Sequence, residues 1–166
     1  MNDNNVHVRP IERSDIPTLV RLLNLAADFQ DDSGAVAAST ADLDAGFFGA
    51  IPYVYGLFAE RSGRVVGLAT YYFKYSTYKG RPVLYLEDLF VDESVRGQGV
   101  GKALMYRLAD VARELRCTSI EWITPSAESN EALRFYRRIG GVIVDKAQPF
   151  DVCTMRLDEE GLAKLT

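Results

Sequence analysis

The stretch Val91-Asp92-Glu93-Ser94-Val95-Arg96-Gly97-Gln98-Gly99-Val100-Gly101-Lys102 sets three glycines in alternation between two periodic segments. Upstream, Val83 to Val91 is rich in β-branched, leucine and aromatic residues and reads as a strand. Downstream, Val100, Leu104, Leu108, Val111 and Leu115 recur at helical spacing. Glycines between a strand end and a helix start outline an anion site. They let the backbone approach a ligand, and the free amides of a helix's first turn carry about half a positive charge, which suits a pyrophosphate. A Walker A loop fails here, because only three residues separate Gly97 from Gly101 and Ala103 follows Lys102. A Rossmann fingerprint needs G-x-G-x-x-G after the first strand of a βαβ unit, whereas this is G-x-G-x-G after a third consecutive strand.

Working outward, Tyr53 to Glu60 and Val65 to Phe73 flank Arg61-Ser62-Gly63-Arg64 and form a hairpin, so that with Val83 to Val91 three strands make an antiparallel meander. Before them lie a short strand around Val6 to Arg9 and an amphipathic helix on Ile16, Leu19, Val20, Leu23 and Ala27, capped by Ser14 or Asp15 with Pro17 in its first turn. A second short helix starts at Ser39 or Thr40 and ends near Gly49 and Pro52. After the long helix, a strand from Ser119 to Thr124 runs parallel to its predecessor. A helix from Asn130 to Ile139 stops at Gly140-Gly141, and strands at Val142 to Val144 and Asp151 to Leu157 complete the sheet. The expected class is α+β, with a mixed, mostly antiparallel sheet and helices. No repeat or linker divides residues 1–166, so one domain is expected.

The chain has 23 acidic against 19 basic residues, a formal net charge of −4 that disfavours nucleic acid as a partner. Cys117 and Cys153 have neither metal-ligand spacing nor the numbers for a disulfide framework and read as reduced thiols. His7 is the only histidine, which leaves almost no material for zinc or histidine acid–base chemistry. Met1 to Val8 is polar, and no stretch approaches 18 apolar residues, so a soluble cytoplasmic protein without membrane contact is expected.

Arg96, Gly99 and Gly101 form an R-x-x-G-x-G pattern that resembles the coenzyme A pyrophosphate loop of the GNAT superfamily of acetyl-CoA-dependent N-acetyltransferases. The strand Leu84-Tyr85-Leu86-Glu87-Asp88-Leu89-Phe90-Val91 and the later Asn130-Glu131-Ala132-Leu133-Arg134-Phe135-Tyr136 are similar to the family's flanking elements in order and spacing. In the family's N-x-x-A-x-x-F-Y pattern, Leu133 takes the alanine place and Ala132 stands one position earlier. The Tyr-Leu-Glu-Asp strand, the Tyr71-Tyr72-Phe73 run and the Arg9-Pro10 start look most like the spermidine/spermine (diamine) and thialysine N-acetyltransferases. The resemblance implies a GNAT-like sheet whose central strand pair splays to bind coenzyme A. It also implies backbone contacts to the carrier at Phe90 and Val91, a pyrophosphate cradle of Arg96, Gly97, Gln98, Gly99, Val100, Gly101 and Lys102, and Asn130 on the pantetheine arm. A homodimer is implied as well.

An alkylammonium of pKa near 10.4 is only about one part in a thousand neutral at pH 7.4, a deficit of about 4 kcal/mol before its nitrogen can attack a thioester. By resemblance Glu87 collects that proton, and Tyr136 gives one to the departing thiolate, so that coenzyme A leaves as product. Acids gather at Asp28, Asp31 and Asp32 and again at Glu87, Asp88, Asp92 and Glu93, with no Lys or Arg inside either window, which favours a small polycationic amine. The acceptor is expected at Phe29, Gln30, Asp31, Glu87 and Asp88. Where the diamine branch has an aromatic residue followed by glutamate, this chain has Phe29 and Gln30. A protein-amine acetyltransferase and a non-catalytic acyl-CoA sensor are the competing functions, and the pairing of Glu87 with Tyr136 argues against the sensor.

Overall fold

The computed structural model describes residues 6–30, 34–147 and 151–165. Seven strands, β1 (His7–Pro10), β2 (Tyr55–Arg61), β3 (Arg64–Ser76), β4 (Arg81–Val91), β5 (Ser119–Pro125), β6 (Val142–Ala147) and β7 (Val152–Asp158), form one sheet in the order β1-β2-β3-β4-β5-β7-β6. Pairings β1/β2, β2/β3, β5/β7 and β6/β7 are antiparallel and β4/β5 is parallel, which is the mixed sheet read from the sequence. The helices among the described residues are α1 (Ile16–Phe29), α2 (Thr40–Phe48), α3 (Val100–Glu114), α4 (Glu131–Arg138) and α5 (Glu159–Lys164). None is long and apolar enough to cross a membrane. The chain divides into two compact units, residues 1–71 with 88–104, and residues 72–87 with 105–166.

In the first unit, Ser62 and Gly63 take positive φ of 50° and 72°, the left-handed pair that a two-residue hairpin turn between β2 and β3 requires. Ser39 caps α2 by accepting from the amide of Asp42, whose carboxylate accepts from the Ser39 amide at 2.9 Å, a reciprocal capping box. Arg9 clamps the start of the unit: its guanidinium donates to Asp15 at 2.6 Å and to Glu60 at 2.7 Å. The bond from Arg9 is the main reason the Asp15 carboxyl lies below its ordinary value. Around these anchors Ile11, Ile16, Leu19, Leu22, Ala26, Phe58, Leu68 and Phe90 form a buried cluster. The buried stripe of α1 is therefore Ile16, Leu19, Leu22 and Ala26, and Leu23 and Val20 sit partly buried at its margin. Expected core residues Leu23 and Ala27 are thus displaced by their neighbours, because the helical stripe drifts by a fraction of a residue per turn.

Gly67 on β3 owes its identity to space. A Cβ there would stand 2.9 Å from Cγ1 of Val100 and 3.2 Å from Ala59 Cβ and Leu104 Cδ1. Both Val100 and Leu104 are almost wholly buried, so the first turn of α3 rests directly on the β3 backbone.

In the second unit β7 lies between β5 and β6, with Trp122 facing Met155 across β5/β7 and Ile143 facing Met155 across β6/β7. Ile120, Trp122, Cys153, Met155 and Leu157 are fully buried, and both cysteines are free and buried. Leu115 departs from expectation: it falls beyond α3 and is 51% exposed, because the chain turns at Arg116 with φ 55° and helical periodicity ends there. Helix α5 was not expected. Its six residues include Gly161, and the signal lies in Asp158, whose carboxylate caps the helix by accepting from the Gly161 amide at 2.9 Å.

Gly67→Ala is expected to lower stability by about 2 kcal/mol through overpacking against α3, or roughly 4–8 °C in Tm. Thermal unfolding followed by circular dichroism reads this, and an unchanged Tm contradicts the packing described.

Candidate active site

Strands β4 and β5 pair at Leu84 with Ile120 and at Tyr85 with Glu121, and no later ladder pair joins them among the described residues of the second unit. Strand β5 nonetheless keeps its partner β7 through Trp122, Ile123, Thr124 and Pro125. Within the second unit, Trp122 and Ile123 therefore have no ladder partner on the β4 side. A backbone polar group in that position needs another partner, either water or a ligand that carries its own amides. This is the splayed central strand pair expected from the sequence.

Tyr136 comes to the point where the pairing stops. Its ring packs on Trp122 with centroids 4.8 Å apart and on Phe135 at 5.3 Å. Helix α4 delivers it: Asn130 caps the helix, its side-chain oxygen accepting from the amides of Ala132 and Leu133 at 2.9 and 3.1 Å, and Leu133 and Tyr136 are its buried residues. At the other end Gly140 at φ 93° and a Gly141 amide bond to the Tyr136 carbonyl at 2.9 Å close the helix. Burial pushes the Tyr136 phenol far above its ordinary value. Its hydroxyl makes no hydrogen bond among the described residues, and the buried indole N–H of Trp122 likewise has no partner among them. A protonated phenol and an orphaned donor therefore stand together where the strands part.

Alternation places Tyr85, Glu87 and Glu121 on one face of the second unit, with Arg156 opposite Glu121 on β7. Glu87 is exposed there. Glu121 is 8% exposed and takes Lys74 Nζ at 2.6 Å and Arg156 at 2.7 Å. Burial alone would raise the Glu121 carboxyl, but the bonds from Lys74 and Arg156 outweigh it and hold it below its ordinary value. The ammonium of Lys74 also lies 4.7 Å from the centre of the Tyr85 ring, and Tyr72 packs on that ring at 5.0 Å. Burial first, then the neighbouring Tyr72, Glu87 and Glu121, push the Tyr85 phenol up.

In the first unit, Gly97 and Gly99 take φ of 74° and 87°, and a Cβ on either would meet nothing within 4 Å. They are needed for backbone conformation, and they leave the loop open to a ligand. The amide of Ala103 donates to the Gly99 carbonyl at 2.9 Å and opens the helical ladder of α3, so the amides of Val100 and Gly101 precede it. Asp92 begins the loop by accepting from the Ser94 hydroxyl at 2.6 Å, the main cause of its lowered pKa. Arg96 donates from Nε to the Val91 carbonyl at 3.0 Å, and its guanidinium lies 3.8 Å from the centre of the Phe29 ring. Arg61 donates to the Gln98 side chain. Lys102 is exposed.

Among the remaining expected site residues, Phe90 is in the first unit's core and Gln30 ends α1, its amide bonded to the Ala27 carbonyl at 3.0 Å. Asp88 accepts from the Thr70 hydroxyl. Asp31, with Asp32, lies outside the described residues. Sequence reasoning missed Trp122, Tyr85, Lys74, Glu121 and Arg156. The available signal was Glu121, a lone carboxylate between Ile120 and Trp122 in an otherwise uncharged strand.

In the second unit, strand backbone without a ladder partner suits a ligand that carries amides, and in the first unit a glycine-opened helix N-terminus suits one that carries phosphate. Residues 20–141 match the acetyltransferase (GNAT) family, and the chain belongs to that family. It is an acetyl-CoA-dependent N-acetyltransferase. Among curated proteins it is 31% identical to thialysine N-epsilon-acetyltransferase of Bos taurus, over 86% of this chain and 88% of that one. It is 34% identical to spermidine/spermine N(1)-acetyltransferase-like protein 1 of Homo sapiens over 70% of this chain and 18% of that one. Among solved structures, the yncA protein of Salmonella typhimurium, determined with its cofactor acetyl-CoA, shares the fold with a TM-score of 0.70 at 19% identity, covering 92% of this chain and 93% of that one.

Because folding lowers the Glu121 pKa, its contribution to stability is fully present above the ordinary glutamate value of 4.5 and is lost as pH falls through the lower folded value. Glu121→Gln is expected to cost about 2 kcal/mol at pH 7, since two charged donors lose their acceptor, and to flatten the acid limb of stability. Urea unfolding at pH 7, 5 and 3 measures both, and parallel losses for the two proteins would contradict the assignment.

Proposed function

We propose that the chain moves the acetyl group of acetyl-CoA directly to a primary amine of a small acceptor of the diamine or lysine-analogue kind, with Tyr136 as proton donor and Glu87 as proton collector. The observation that carries this reading is the buried Tyr136, whose ring packs on Trp122 at the place in the second unit where the ladder between β4 and β5 stops. The substrates in those relatives' names, thialysine and spermidine/spermine, support the acceptor class.

The residues fit the carrier. By resemblance, the first-turn amides of α3 with Gly97, Gly99 and Arg96 in the first unit take the pyrophosphate; in the second unit, the β4 and β5 backbone past the Tyr85–Glu121 pair suits the pantetheine amides and the Asn130 side chain that same arm. Acetyl-CoA supplies an activated thioester carbonyl. Glu87, exposed and in exchange with solvent, draws one proton from the acceptor ammonium and frees its lone pair. As the carbon–nitrogen bond forms and the carbon–sulfur bond breaks, Tyr136 gives its proton to the sulfur, and the second proton lost by nitrogen restores the phenol. The sum is one acetamide, one thiol and one proton to solvent. Burial that raises the phenol keeps Tyr136 protonated across the working pH range, as a donor requires. Cys117 and Cys153 are buried, and burial pushes the Cys117 thiol up, so direct transfer is favoured over an acetyl-cysteine route.

An acceptor screen with acetyl-CoA that monitors released thiol tests the activity. Tyr136→Phe is expected to lower kcat by about 10²–10⁴, with KM for acetyl-CoA changed no more than a few-fold and the fold intact. An unchanged kcat removes the proton-donor role, and no thiol release with any amine removes the reading as a whole.

A further inference from the structure

Helix α1 buries Ile16, Leu19, Leu22 and Ala26, and its last residue, Phe29, stands at helical spacing from Leu22 and Ala26, so the same stripe runs on to the Phe29 ring. The core ends before it reaches that ring, which is 60% exposed. Arg96 of the glycine turn, in the same unit, lies over it. The guanidinium carbon is 3.8 Å from the ring centre, which is van der Waals contact.

Two restraints therefore act on one long side chain. Nε donates to the Val91 carbonyl at 3.0 Å, where β4 ends, and the Phe29 ring takes one face of the guanidinium. The N–H groups of the two terminal nitrogens remain, and they meet no acceptor among the described residues. Asp92, four positions earlier, is taken by the Ser94 hydroxyl at 2.6 Å and by Arg64 at 3.3 Å. The Arg96 charge is thus fixed in place without a carboxylate from the described residues to neutralise it. A stacked guanidinium presents its N–H groups outward in its own plane, as a fork that matches two oxygens of a phosphate. A free arginine loses rotamer freedom when it grips such a group, and one already held loses less.

We infer that Phe29 is a positioning residue for the carrier, its ring holding Arg96 ready for the diphosphate of coenzyme A. Phe29 then serves the cofactor, whereas the sequence placed it at the acceptor. The inference rests on the carrier reading above and adds a residue to it. Calorimetry with coenzyme A is expected to give a Kd about three- to tenfold weaker in Phe29→Leu. Phe29→Tyr, which keeps the ring, stays within about twofold of wild type. Phe29→Leu added to Arg96→Met brings no further loss, because the two act as one unit. In steady state the same factor falls on KM for acetyl-CoA and spares KM for the amine. Without any ligand, the arginine Nε–H resonance that vanishes in Arg96→Met is displaced by the ring current in wild type and in Phe29→Tyr, and returns toward the ordinary arginine position in Phe29→Leu. An unchanged Kd for coenzyme A in Phe29→Leu, an effect confined to KM for the amine, or equal losses with and without Arg96 would each overturn the inference while leaving the carrier reading in place. Should Phe29→Leu not fold, wild type decides: the Arg96 resonance moves on addition of coenzyme A and stays on addition of pantetheine, which lacks the diphosphate, and the reverse overturns the inference. No binding of coenzyme A by wild type would instead overturn the carrier reading beneath it.

Discussion

The parting of β4 from β5 after the Tyr85–Glu121 pair is the constraint on which the candidate site depends. A parallel pair normally satisfies its backbone groups along its whole length, and here β5 goes on to complete seven pairs with β7 while its other side loses β4. Exposed amides and carbonyls in the middle of a sheet are tolerable only if solvent or a ligand with matching groups occupies them. The last pair before the break is also the most heavily fastened: Tyr85 lies under the Lys74 ammonium, and Glu121 is held by Lys74 and Arg156. The opening thus begins at a fixed place, because the residues just before it are tied across β3, β4, β5 and β7.

The two sides of that place have different chemistry. Trp122 points into the apolar side, where Tyr136 packs on it, and desolvation there keeps a phenol in its neutral form. Tyr85, Glu87 and Glu121 lie on the other face, where charge is abundant and solvent reaches Glu87. Strand alternation by itself produces this division, since residues one apart face opposite ways. A proton donor that must stay protonated and a proton collector that must exchange with water could hardly share one environment.

Much of this was legible in the sequence. The strand to Val91, the glycine turn and the helix from Val100 were given by periodicity and by Gly97 and Gly99, whose positive φ few other residues adopt at low energy. Asn130 and Gly140 bracket α4 as capping preferences suggest. Less legible were features made by strand order. That β7 lies between β5 and β6 depends on which edges meet, and a linear string carries no record of that. Lys74, Tyr85, Glu121 and Arg156 are far apart in sequence and meet only through register, so the acidic character of the windows around Glu87 and Asp92 was overestimated. Arg64 at 3.3 Å from Asp92 shows the same effect, a cation brought from 28 positions away.

Neither compact unit is a continuous piece of chain. The boundary falls inside β3 between Tyr71 and Tyr72, inside β4 between Glu87 and Asp88, and inside α3 between Leu104 and Met105. The chain therefore passes from one unit to the other within a strand or a helix at each of these three places. Each unit must join two segments that are separated along the chain before its interior closes, and pairing of distant segments slows folding. A fragment expressed alone would contain either the glycine turn with its core or Tyr136 with its strand, each missing part of the framework that shapes it.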